Sequence, residues 1–276
     1  MSEVSCIICE ARSQKLFEVL ILRKYPRDLY QCDSCSACFF PNPDWLTEAY
    51  SKAISDLDTG IIERGLDIAN VVTPFLVFSK LRHGSVLDYG GGLGVLARIL
   101  RDRGLDAYSY DPLAESVFSL PSNEEKHFDL VTMVEVFEHL EDPVSIISEL
   151  SKQTDLIFIS TLCIPGKTIK PDWWYLLPDT GQHINFPTKL SLEKLASSIG
   201  WNLTSSGTNI HLLSKSKPKM FQILAIKYQK VAWIVGYLLY PFLRSRSLSK
   251  EDLKSASENI YGSSTEAQET KKVSEL

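Results

Sequence analysis

The chain lacks what a secreted, membrane-spanning or broadly nucleic-acid-binding protein would need. Among its 276 residues, 29 Lys and Arg are outnumbered by 34 Asp and Glu, giving a net charge of −5. That balance excludes a general electrostatic grip on phosphate backbones, although not a local basic patch. A bilayer span needs ~20 apolar residues. The tail stretch VAWIVGYLLYPFL offers 13 uncharged ones. The first residues, MSEVSCIICEARSQ, show neither the basic region nor the apolar core of a signal peptide. The expectation is therefore a cytoplasmic chain whose six cysteines stay reduced, where thiols bind metal more often than they pair.

What is present is a core-forming apolar content of 44 %, enough for one catalytic domain with a small added module. Residues 45–83 read as mostly helical: Tyr50, Ile54 and Leu57 share a face, and IIERGLDIANVVTPFLVFSKL continues the pattern across Pro74. From Ser85 the signals alternate. SVLDY, DAYSYD, FDLVTMVE and DLIFIS read as strands, and the continuous apolar runs are those of parallel strands buried on both faces. Helical stripes at Leu93–Leu100, 142–153 and 191–199 separate them, and WNLTSS and IHLLSK close the pattern as a hairpin. The fold expected is α/β, a doubly wound Rossmann-like sheet with a terminal antiparallel hairpin, preceded by a small cysteine module.

That module holds Cys6-Ile-Ile-Cys9 and Cys32-Asp-Ser-Cys35, two C-x-x-C knuckles 22 residues apart. Four thiolates at this spacing suit a closed, structural zinc site, a zinc ribbon. Cys38, at the head of an apolar run, reads as a buried thiol, and Cys163 as packing. A redox C-x-x-C would open a helix of a thioredoxin-like unit, which the pattern does not contain.

The stretch SVLDYGGGLGVLARIL concentrates the chemistry. A strand runs to Asp88, glycines follow at 90, 91, 92 and 94, and a helix begins. Glycine leaves the main chain bare to a ligand, and a helix N-terminus favours negative charge. Asp111 ends the next strand, 21 residues after Gly90, placed to accept from ribose hydroxyls. A dinucleotide turn would want glycine at position 95, where valine stands.

VLDYGGGLGVLARILRDRGLDAYSYDP followed by FDLVTMVEVFEHLEDPVSIISEL resembles the class I S-adenosylmethionine (SAM) methyltransferases, from about Ser85 to Lys215. The resemblance implies SAM as cofactor, with Asp88, Gly90, Gly92, Gly94 and Asp111 holding it. It places Glu135 near the cofactor's amino and sulfonium groups. Glu138 and His139 read as residues that orient the chain after the strand. Only 16 residues separate Asp111 from Phe128, so the family's second helix and third strand are compressed. An acidic partner for adenine has no clear equivalent in SLPSNEEKH. YQCDSCSACFFPNP resembles the zinc-binding leader of sugar C-methyltransferases, which helps shape the substrate side of the cleft. In those enzymes a Glu-His pair supplies a proposed base. Here Gln182-His183 stands in its place, so His183 is the candidate base, with Trp173, Trp174 and Tyr175 as an aromatic wall for a sugar face.

The organisation expected is a zinc ribbon at 1–44, a helical lead-in or substrate lid at 45–84 and a SAM domain at 85–217. An apolar amphipathic helix at 218–245 and a disordered Ser/Glu/Lys tail at 246–276 complete it. The segment 220–243, with Lys227, Lys230, Arg244, Arg246, Trp233, Tyr237 and Tyr240, suits either a peripheral membrane contact or packing on the domain or in a homodimer. The function expected is methyl transfer to oxygen or carbon of a sugar-type small molecule or glycan precursor. Two alternatives stand beside it. One is an RNA methyltransferase using the ribbon, against which the acidic balance argues. The other is a non-catalytic SAM-binding module.

Overall fold

Runs such as SVLDY, LVTMV and LIFIS have no polar face to give to water, so they can only be interior strands. A computed structural model places them so; it describes residues 4–51, 59–78, 84–114, 116, 118 and 126–261. The N-terminal part forms β1 (Val4–Ser5), β2 (Arg12–Ile21), β3 (Tyr25–Cys32) and β4 (Cys38–Phe39), then α1 (Leu46–Ala49) and α2 (Ile61–Phe78). The α/β part follows as β5 (Ser85–Tyr89), α3 (Val95–Arg101), β6 (Asp106–Tyr110), β7 (Leu130–Val134), α4 (Pro143–Leu150) and β8 (Leu156–Ser160). It continues through β9 (Asn185–Phe186), α5 (Lys189–Ser198), β10 (Asn202–Ser205) and β11 (Ile210–Ser214) to α6 (Met220–Lys227), α7 (Gln229–Arg244) and α8 (Ser249–Tyr261).

The larger sheet runs β10-β11-β8-β7-β5-β6, parallel except for the terminal hairpin, whose β11 pairs antiparallel to β8. The chain steps from β5 to β6 on one side and to β7 on the other, so the crevice between β5 and β7 is the place where such sheets bind ligands. Among the described residues no strand lies beyond β6.

The ribbon is not a separate module. Its sheet runs β1-β2-β3-β4-β9, and its last strand comes from residues 185–186, far along the chain. Cys38 and Phe39 pair with Phe186 and Asn185, and Phe40 donates its N–H to the Ile184 carbonyl at 3.0 Å. Cys6, Cys32 and Cys35 share one apolar cluster with Leu192, Leu195 and Trp201.

Two expectations are corrected. The apolar segment 218–245 is two helices, because Tyr228 leaves helical geometry (φ −116°, ψ 56°) between α6 and α7. Part of the expected disordered tail, 249–261, is helical. Asp252 there lies 2.5 Å from both Arg98 and Arg101 of α3, and that paired contact anchors a helix whose composition alone would not order it. Ile54, Leu57, and positions 262–276 of the tail fall outside the described residues.

Candidate active site

The turn after β5 has the bare backbone that its glycines require. Gly90, Gly92 and Gly94 take φ of +71°, +54° and +80°, where a side chain is strained. A Cβ on Gly90 would meet Val136 at 2.5 Å. The Gly90 N–H is spent on the Tyr110 carbonyl, whereas the Gly92 N–H donates to Asp111 Oδ2 at 2.9 Å. Asp111 Oδ1 accepts from the Leu113 N–H at 2.8 Å. Each carboxylate oxygen keeps a second lone pair, so a vicinal diol could be held in a fixed geometry. These residues fit the ribose of an adenosyl cofactor.

Asp88 departs from the expectation that it would touch the cofactor. Its side chain is 3 % exposed and accepts from Thr132 Oγ1 at 2.8 Å. A Cβ on Gly91 would sit 2.5 Å from Asp88 Oδ2. The carboxyl therefore supports the turn from inside the fold, and burial, reinforced by the charge of Asp111, pushes it up to about 7.

At the end of β7 the backbone of Glu135 is left-handed (φ +54°), a strained state for a residue with a side chain. Its carboxylate accepts from Ser160 Oγ at 2.7 Å and faces the Tyr175 hydroxyl at 3.1 Å. The same hydroxyl lies 2.6 Å from Glu138 Oε1, while Glu138 Oε2 has no partner among the described residues. One phenolic proton cannot satisfy two carboxylates at once. Burial, then the charge of Glu138, raises Glu135 to about 7; burial raises Glu138 as well.

His183 sits beside this pair. Its Nδ1 is 2.8 Å from the Tyr175 carbonyl, which can only accept, so Nδ1 carries the proton and Nε2 keeps its lone pair. The imidazole stands edge-on to Tyr175 (4.5 Å) and His139 (4.9 Å), and burial lowers its pKa. His139 meets the Tyr50 hydroxyl through Nδ1 at 2.7 Å, and burial holds it down to about 3. Glu138, His139 and His183 thus converge, with one donor atom each within 4.8 Å of the others. By sequence alone Glu138 and His139 read as chain-orienting residues. The available signal was the E-x-x-E-H spacing at the end of a strand, which puts three polar groups where two neighbouring strands end.

The aromatic wall does not form as expected. Tyr175 is 3 % exposed and Trp173 packs on Tyr175 and Phe186, whereas Trp174 is 67 % exposed. Two of the three rings are needed to fill the space between ribbon and domain.

The four ribbon thiols fit zinc. A tetrahedral site with Zn–S of about 2.3 Å has sulfurs about 3.8 Å apart. Cys6 and Cys35 are 3.6 Å apart, Cys9 and Cys32 3.5 Å, and all four lie within 4.8 Å. Backbone N–H groups of Ile8, Ser34 and Cys35 point at Cys6 and Cys32 sulfurs, as they do toward thiolates. Cys38 and Cys163 stand apart from this group; burial pushes both to about 12, so they are packing thiols.

The ribbon and the α1 segment that follows it grip the His183 loop. Trp45 Nε1 donates to the Gly181 carbonyl at 2.7 Å, Gln182 Nε2 to the Ala49 carbonyl at 3.1 Å, and the Leu22 N–H to the Pro178 carbonyl at 2.8 Å.

With this geometry in view, residues 66–206 match the family described as methyltransferase domain. The chain belongs to that family and is a methyltransferase. Among solved structures, the magnesium protoporphyrin IX methyltransferase ChlM of Synechocystis PCC 6803 with bound SAH is 16 % identical. That match covers 63 % of this chain and 94 % of ChlM, with a TM-score of 0.39. The plantazolicin methyltransferase BpumL with SAH is 15 % identical over 70 % of this chain and 85 % of its own, with a TM-score of 0.40. CalO1, a methyltransferase in calicheamicin biosynthesis, is 16 % identical over 49 % of this chain and 50 % of its own, with a TM-score of 0.37. No curated protein matches the chain significantly.

Proposed function

We propose that the enzyme methylates an oxygen or acidic carbon of a polar, sugar-type small molecule, with His183 as the base. SAM supplies an electrophilic methyl and its own leaving group, so the chain's residues have to align the acceptor and take its proton. Gly90, Gly92, Gly94 and Asp111 hold the cofactor. Glu135, next to Val136 that packs on Gly90, offers negative charge to its cationic end.

The observation that carries the reading is the His183 tautomer. With Nδ1–H fixed on the Tyr175 carbonyl, Nε2 is a free acceptor, and burial lowers the pKa of the ring so that the imidazole is neutral at pH 7. Glu135 and Glu138 nearby stabilise the imidazolium that results. A sugar-type acceptor is supported by the polar lining of this end and by the exposed indole of Trp174, a face on which a ring can stack. The ribbon's zinc would be structural, since four thiolates leave no open position. Its role is to hold residues 178–186 in register.

The test is His183→Asn assayed with labelled SAM against a panel of nucleotide-linked sugars. Cofactor affinity should be unchanged and methyl transfer should fall by about 10²–10⁴-fold. Undiminished transfer would remove His183 from the role.

A further inference from the structure

Helix α7 is amphipathic in the reverse sense to a helix of a soluble domain. The residues it turns toward the protein are small: Ala232 and Gly236 are buried, with Leu243 as the one large exception. At Gly236 the approach to α2 is so close that a Cβ would run into the Asn70 carbonyl. The residues it turns outward are large and apolar. Val231, Ile234, Leu238 and Phe242, at helical spacing on one stripe, are 59, 51, 61 and 77 % exposed. The stripe runs on into an open apolar groove of about 390 Å³ between α2, α6 and α7, lined by Phe78, Leu224 and Tyr228, themselves 56, 46 and 59 % exposed. A patch of this kind on a soluble surface marks a docking site.

Charge identifies the occupant. From position 194 to position 250 the sequence has no Asp or Glu, in a chain whose net charge is −5. Lys217, Lys219, Lys227, Lys230, Arg244 and Arg246 fall within this stretch, around α6 and α7. The carboxylates that α2 brings near are Glu63 and Asp67, and Asp67 is occupied by the Trp233 indole N–H at 2.7 Å. Trp233 stacks on Tyr237 at 5.5 Å, an amphipathic pair of the kind that settles at the level of lipid headgroups. A two-fold pairing of copies through the stripe would bring the Lys230 and Arg244 of one copy against those of the other, cation against cation. An anionic lipid surface would bury the apolar stripe and neutralise the cations together. No helix among the described residues is long and apolar enough to cross a membrane, so α7 would lie in the interface plane.

We infer that α6 and α7 form a peripheral docking surface for anionic bilayers. The stripe enters the acyl boundary, and the flanking Lys and Arg meet the headgroups.

The full-length chain is tested by flotation with vesicles of phosphatidylcholine alone and with about a third phosphatidylglycerol, at low and high salt. The expected result is retention on the anionic vesicles at low salt, about tenfold stronger than on neutral ones. A blue shift of tryptophan emission should accompany it. Leu238→Glu with Phe242→Glu, and separately Lys230→Glu with Arg244→Glu, should each weaken retention about tenfold. Both lie on exposed positions, so calorimetric SAM binding should be unaltered and would report intact folding. No retention at low salt would overturn the inference, as would either double variant floating like the parent. A concentration-dependent dimer that Leu238→Glu dissolves, without vesicle binding, would assign the stripe to a second copy instead.

Discussion

Replacing Asp88 by asparagine should stabilise the protein at alkaline pH without removing the cofactor. The carboxyl is buried between Gly91, Ser109 and Thr132 with no cation beside it among the described residues, and burial raises it to about 7 in the fold. In the unfolded chain it would titrate near ~3.9. A group whose folded value is raised stabilises the fold in its protonated form. Its contribution is fully present below pH ~3.9 and is lost as pH rises to about 7. The loss has a ceiling of about 4 kcal/mol at pH 8 and reaches about 1.5 kcal/mol at pH 5. Asparagine keeps the Thr132 hydrogen bond through its carbonyl and offers an amide to Ser109 Oγ, which has no partner among the described residues. Thermal unfolding of Asp88→Asn should therefore rise by several degrees at pH 8 and by much less at pH 5. SAM titration should stay within about threefold, because the carboxyl supports the turn from beneath. A lower melting temperature at pH 8, equal gains at the two pH values, or loss of SAM binding would refute this account of Asp88.

Three further outcomes follow from the site. SAM affinity should fall up to about tenfold per unit as pH drops below 7, because Glu135, at about 7 in the free protein, must be ionised to meet a cation. Calorimetry in buffers of different ionisation enthalpy should show proton release on binding, and a flat response between pH 6 and 8 would contradict it. Cys32→Ser, or chelation of ribbon metal, should speed hydrogen exchange at residues 184–186 by about tenfold or more while 86–89 in β5 stay protected, since β4 holds β9. Equal protection in both segments after metal loss would show that the ribbon does not position the His183 loop.

The sequence exposed the α/β sheet readily, since its strands announce themselves by apolar runs and its glycine turn by a backbone conformation that glycine alone adopts without strain. It was blind to pairings that span the chain. Nothing local in Asn185-Phe186 says that they complete a sheet begun by Cys38-Phe39, so the ribbon read as a detached module. The same limit hid the union of Glu138, His139, Tyr50 and Tyr175 around His183, which depends on three separate segments meeting. Asp88 and the Trp173-Trp174-Tyr175 run were misplaced for a different reason: sequence gives residue type but not which side of a turn or layer a side chain enters. Helix α8 was missed because its order comes from Asp252 bridging two arginines of α3 and not from its own composition.

Calorimetric titration of SAM into the parent and into Asp111→Ala bears most directly on the account. Asp111, pinned by the Gly92 and Leu113 amides, is assigned the ribose hydroxyls, and loss of its two charge-assisted hydrogen bonds should weaken binding about 10²-fold or more. Equal affinities in the two proteins would mean that the adenosyl group rests elsewhere.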